Sequence, residues 1–183
     1  MTVEVSTPRG VRRGRSVMEI TAYETLKLTS EEHSGGGGLK GNAVVVNLPD
    51  GPIFALLTTG DSGQPLAAEV TQALAGAMSL SPVSAYVAAV RKLNGWFAHA
   101  KADLPRAAWP TMVRFDDINN PKTAQRVDPA AIGVKRIVVE TTSDAVTTGI
   151  EKKLGWLISA KNFHFTTVPY GDLYPYPSDV FWR

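Results

Sequence analysis

WPTMVRFDDINNPKTAQRVDPAAIGVKRIVVETTSDAVTTGIEKKLGWL, residues 109–157, holds two apolar runs of strand length, a polar connection and an amphipathic segment. The runs are Thr111 to Phe115 and Val134 to Thr142, the latter with Ile137, Val138 and Val139 at its heart. Branched and aromatic side chains pack well on a pleated surface, so both runs predict strands. Asp116-Asp117-Ile118-Asn119-Asn120-Pro121 lies between them; Asn and Asp bond their own backbone nearby and so make turns. Glu140 follows the apolar heart and is expected to face solvent or pair with a cation on a neighbouring strand. Thr148 and Glu151 have capping-box spacing, and Ile150, Leu154 and Leu157 recur at helical intervals. That pattern predicts a short buried helix with Trp156 near its end.

Upstream, Val3 and Val5 alternate with polar neighbours, Thr7-Pro8-Arg9-Gly10 has turn chemistry, and Met18, Ile20 and Ala22 alternate again. Together they predict an opening hairpin with Arg9, Arg12, Arg13 and Arg15 at its tip. Gly35 to Gly38 predict a flexible surface loop, because successive glycines maximise backbone freedom. Ala43 to Leu48 and Ile53 to Thr58, joined by Pro49-Asp50-Gly51-Pro52, predict a second hairpin whose consecutive apolar positions place both strands centrally, covered on both faces. Leu66, Val70, Ala73, Leu74 and Ala77 mark one helix with Pro65 at its first position. Ser81 is placed to cap a second, with Val83, Tyr86, Val87, Val90, Leu93 and Phe97 as its stripe. The expected fold is therefore α+β, a mainly antiparallel sheet from hairpins with a helical pair packed on one face, over residues 1–158. Residues 159–183 are expected to form an aromatic, proline-rich, irregular C-terminal arm packed on that domain. It carries Phe163, Phe165, Tyr170, Tyr174, Tyr176, Phe181 and Trp182 among three prolines.

Composition narrows the chemistry. A chain of 183 residues suffices for one well-buried core, and a net charge of +2 sets up no field that would single out nucleic acid. Nucleic acid is not expected as a partner. The chain has no cysteine, which excludes disulfides, thiolate catalysis and cysteine-held zinc or iron–sulfur centres. No apolar stretch approaches the length of a membrane-spanning helix, and the chain is expected to be soluble. His33, His99 and His164 lack zinc-ligand spacing. Gly60-Asp61-Ser62-Gly63 is similar to the nucleophile loop of chymotrypsin-like proteases, but only His33 precedes it and too little chain does so to build two barrels. The Asp116 to Pro121 segment lacks the spacing, glycine and terminal Glu of a calcium loop. No cofactor or metal is expected.

Three blocks resemble a family of uncharacterised proteobacterial proteins that often carry a lipoprotein-type signal. The first is Thr2-Val3-Glu4-Val5-Ser6-Thr7-Pro8-Arg9-Gly10 with Ser16-Val17-Met18-Glu19; the second is Gly41 to Leu48 with Phe54-Ala55-Leu56-Leu57. The third comprises Trp109-Pro110, Phe115-Asp116-Asp117, Pro121-Lys122-Thr123, Val127-Asp128-Pro129 and Thr147 to Lys152. The resemblance implies a periplasmic or membrane-associated protein whose signal was removed, and otherwise a cytoplasmic one; it implies no activity. The expected function is accordingly a non-catalytic, envelope-associated binding or structural module. Its contacts would be Arg9, Arg12, Arg13 and Arg15 with Tyr170, Tyr174, Tyr176 and Trp182, and its partner an anionic membrane surface or an envelope protein. The alternative is a hydrolase working through the carboxylates around Asp116, Asp117 and Asp128.

Overall fold

The computed structural model describes residues 1–25, 35–59, 64–95, 99–159 and 181. In chain order come β1 (Thr2–Thr7), β2 (Gly10–Arg15), β3 (Glu19–Glu24), β4 (Gly35–Lys40), β5 (Val44–Leu48) and β6 (Gly51–Thr59). Then follow β7 (Gln64–Pro65), α1 (Ala67–Ala75), α2 (Val83–Leu93), β8 (Lys101–Asp103), β9 (Pro110–Phe115), β10 (Ala124–Arg126) and β11 (Val134–Glu140). Every strand pairing is antiparallel, and the architecture is the expected α+β.

One sheet has the order β2-β1-β11-β8. Alternation decides its faces: Val3, Val5, Ile137 and Val139 are buried inward, while Glu4 stands on the other side opposite Arg13 and Arg136. The opening hairpin differs from the expectation in its return arm. Thr7 pairs with Gly10 across a two-residue turn, so β2 follows at once and the run from Glu19 forms a separate ribbon. Only Arg9 lies in the turn; Arg12, Arg13 and Arg15 are spaced along β2, which is polar on its exposed side and therefore hard to see as a strand in sequence.

The second sheet has the order β10-β9-β6-β5, with β7 on β6. Strand β6 is buried on both faces, as its unbroken apolar run requires. Ile53, Ala55 and Leu57 join the core enclosed between the sheets, whereas Phe54 and Leu56 join a second cluster on the opposite face. Strand β5, expected to be central, is instead the hydrogen-bonded end of this sheet, and β2 packs beside it. Gly14 permits that approach, because a side chain there would run into the Val45 carbonyl.

Gly35 to Gly38, expected as a loop, pair with β3 as strand β4. Glycine is a poor strand former alone, but here the missing side chains make room for rings. A Cβ on Gly37 would meet the Tyr86 ring at 2.8 Å, and one on Gly36 the Tyr23 hydroxyl at 2.9 Å. The β3–β4 ribbon thus carries α2 on one side, and α1 packs on α2 and on β11 and β8, which makes the helical pair that the periodicities predicted. Pro65 belongs to β7, and α1 starts two residues later than expected. Ser81 makes no side-chain cap to α2.

The segment after β11 forms two 3₁₀ turns, Ile150–Lys152 and Gly155–Ile158, where a helix was expected. Its burial was foreseen correctly: Ile150, Leu154 and Leu157 close the second cluster over Phe54 and Leu56. The cap was not. Thr148 makes no cap; the buried Asn42 amide, oriented with its oxygen toward the turn, accepts from the N–H groups of Gly149 and Ile150 at 3.1 and 3.0 Å. Phe181, from the expected C-terminal arm, is fully buried against Phe54, Phe115 and Trp156, and its carbonyl accepts from the Ala43 N–H at 2.7 Å.

Candidate functional site

The first sheet holds Arg13, Arg15 and Arg136 in ion pairs. Arg13 and Arg136 donate to Glu4 from either side at 2.8 and 2.9 Å, and Arg15 donates to Asp144 at 2.7 Å. The hydrogen bonds from Arg136 and then Arg13 pull the Glu4 carboxyl down to about 2, and Glu4 in turn raises the Arg136 guanidinium. Glu140 pairs across strands with Lys101 at 3.1 Å, as expected of it, and the hydrogen bond from that cation lowers its carboxyl. Arg9 and Arg12 are exposed and have no ion-pair partner among the described residues. Arg13, Arg15 and Arg136 are thus paired with Glu4 and Asp144, while Asp103 and Glu140 act on Arg136 and Arg15 from farther off.

The carboxylates of the third block are employed locally. Asp116 accepts from the Gln125 side chain, Asp117 from the Asn119 N–H at 2.9 Å and Asp128 from the Ala130 N–H at 2.9 Å. The last two are the bonds of Asx turns, and the first joins a side chain just past β9 to one on β10. None of the three lines the cleft between the helical pair and the end of β11, and among the described residues no group of acidic and imidazole side chains is arranged to hold a metal ion. Tyr170, Tyr174, Tyr176 and Trp182 lie outside the described residues, as do the Gly60-Asp61-Ser62-Gly63 segment, His33 and His164.

A feature that sequence reasoning missed is a cleft of about 820 Å³ between the helical pair, the start of β3 and the end of β11. Val70 and Leu74 of α1, Val90 and Leu93 of α2, and Met18 and Ile20 beside them supply apolar walls. Asn94, His99, Thr142 and Ser143 stand at its polar side. Thr71 lines it too, but its hydroxyl already donates to the Ala67 carbonyl at 2.8 Å. It also bonds Tyr86, whose hydroxyl burial pushes up. The helical stripes were legible in sequence only as core. Nothing in their spacing tells a stripe that packs fully from one that leaves a gap.

The chain matches no family model, no curated protein and no solved structure. No helix among the described residues is long and apolar enough to cross a membrane.

Proposed function

We propose that the chain is a non-catalytic, envelope-associated binding module that docks on an anionic membrane surface through the arginines of its first hairpin. The observation that carries this reading is the pair Arg9 and Arg12, exposed and without ionic partners among the described residues, beside arginines fixed by Glu4 and Asp144. Fixed cations lose little freedom on contact, and each cation near an anionic surface contributes about 1 kcal/mol. The envelope location is supported by the family resemblance of the three sequence blocks. Tyr170, Tyr174, Tyr176 and Trp182 are assigned to the same contact on composition, since amphipathic rings suit the headgroup level. The hydrolase alternative gains no support from Asp116, Asp117 and Asp128, whose oxygens serve turns and a neighbouring amide.

Co-sedimentation with vesicles tests the proposal. Binding to phosphatidylglycerol-containing vesicles should exceed binding to pure phosphatidylcholine and weaken with salt. The double substitution Arg9→Gln and Arg12→Gln should lower partitioning about thirtyfold, from two cations at about 1 kcal/mol each. Equal binding to both vesicle types, or an unaffected double variant, would remove this reading.

A further inference from the structure

We infer that the cleft between α1, α2 and the end of β11 is a binding site for a neutral single-chain amphiphile, with its hydrocarbon between the helices and a hydroxylated head at the rim. This site is separate from the arginine surface and stands without it. A volume of about 820 Å³ falls in the range of pockets that enclose most of a small ligand, roughly 300–1,000 Å³. Val70, Leu74, Val90 and Leu93 present branched hydrocarbon from two helices, and Met18 and Ile20 continue it along the ribbon. Such walls offer an aliphatic chain burial and no polar partner.

The rim decides the head group. Its charged members are already held: Glu140 pairs with Lys101 at 3.1 Å, Arg15 nearby pairs with Asp144 at 2.7 Å, and the Met1 amino group, which burial lowers to about 6, donates to the Ser16 carbonyl at 2.7 Å. An anionic or cationic head would give up water and find no unpaired countercharge. The groups that do remain are polar hydrogen-bonding ones. Asn94, His99 and Ser143 have no side-chain partner among the described residues, and the Thr142 hydroxyl, which accepts from the Asp144 N–H at 3.1 Å, still has its own proton to donate. An amide, an imidazole and two hydroxyls combine donors with acceptors, which matches a polyol such as glycerol.

The test uses the 183-residue chain and the neutral fluorophore N-phenyl-1-naphthylamine. Its emission should rise saturably with protein, and 1-monomyristoylglycerol below its critical micelle concentration should displace it more effectively than myristate or tetradecylamine. Leu93→Trp, which fills the cleft, should abolish dye binding while leaving the far-ultraviolet circular dichroism intact. Should that variant not fold, Asn94→Ala with Ser143→Ala still decides: dye affinity should be unchanged and monoacylglycerol competition weakened about tenfold, the loss of two hydrogen bonds. Absence of saturable dye binding would mean that the chain itself fills the cleft and would overturn the inference. So would better competition by either charged analogue, undiminished dye binding by folded Leu93→Trp, or unchanged competition in the double variant.

Discussion

The Asn42 side chain caps the turn at Ile150 from a distant part of the chain, while the hydroxyl of Ser16 donates to the Asn42 backbone carbonyl at 2.6 Å. Asn42 is buried, so removing its amide leaves two N–H groups without water or partner, at a cost of about 1–3 kcal/mol. Asn42→Ala should lose that much stability in urea denaturation, whereas Thr148→Ala should change it by less than about 0.5 kcal/mol, as exposed side chains without a cap do. A large effect at Thr148 would restore the local cap that its spacing suggested. Glu4 makes a prediction in pH. Its carboxyl falls from 4.5 to about 2 on folding, so the folded state is favoured by the ionised form. That contribution is complete above about 4.5 and is lost as pH falls through about 2. Glu4→Gln should therefore unfold more easily than the parent near neutrality, and the difference should shrink through that window until it vanishes. A gap that stayed constant with pH would show that the pairing with Arg13 and Arg136 contributes nothing. Capping-box spacing and a lone glutamate were both visible in sequence, but which side chain satisfies which group depends on neighbours brought together only by folding.

Strand β2 shows what happens at the scale of an element. Its sequence, Gly10 to Arg15, has neither an apolar stripe nor a run of branched residues, and its strand conformation comes from pairing with β1 on one side and packing beside β5 on the other. Gly14→Ala places a methyl group against the Val45 carbonyl, where backbone must move to admit it. A destabilisation of about 1–3 kcal/mol is expected, as for other overpacked contacts. Thermal unfolding followed by circular dichroism measures it, and an unchanged midpoint would mean that the two sheets are not held at this point. Strand β4 repeats the lesson with opposite chemistry. Four glycines signal freedom in a sequence, yet Tyr23 and Tyr86 occupy the space that side chains would take, and the segment pairs along its length with β3. By contrast β6, β9 and β11 were legible because their branched and aromatic residues state the same preference locally and globally.

For the whole molecule, β6 is the shared wall of two hydrophobic clusters, one between the sheets and one beneath the 3₁₀ turns and Phe181. Neither cluster can lose β6 without exposing the other, so cooperative unfolding is expected. Trp109 packs on the first cluster and Trp156 on the second. Variants that keep only one of these tryptophans, the others replaced by Phe, should report the same urea midpoint by fluorescence. Separate midpoints would show that the clusters melt independently. The position of the arginine surface also belongs to this scale. Strand β2 ends at Arg15, bonded to Asp144 beside the cleft residue Ser143, so the basic surface and the cleft mouth adjoin.

The order of apolar runs, turns and helical stripes by itself determined the α+β class, the second hairpin, the two helices and the burial of Ile150, Leu154 and Leu157, because each rests on periodicity along a few neighbouring residues. Tertiary structure alone decided that Gly35 to Gly38 form a strand, that β5 ends its sheet, that the arginines line β2, and that a cleft opens between the helices and β11. Those outcomes depend on which surfaces meet and how completely they fill the space between them. Short-range spacing carries no record of that.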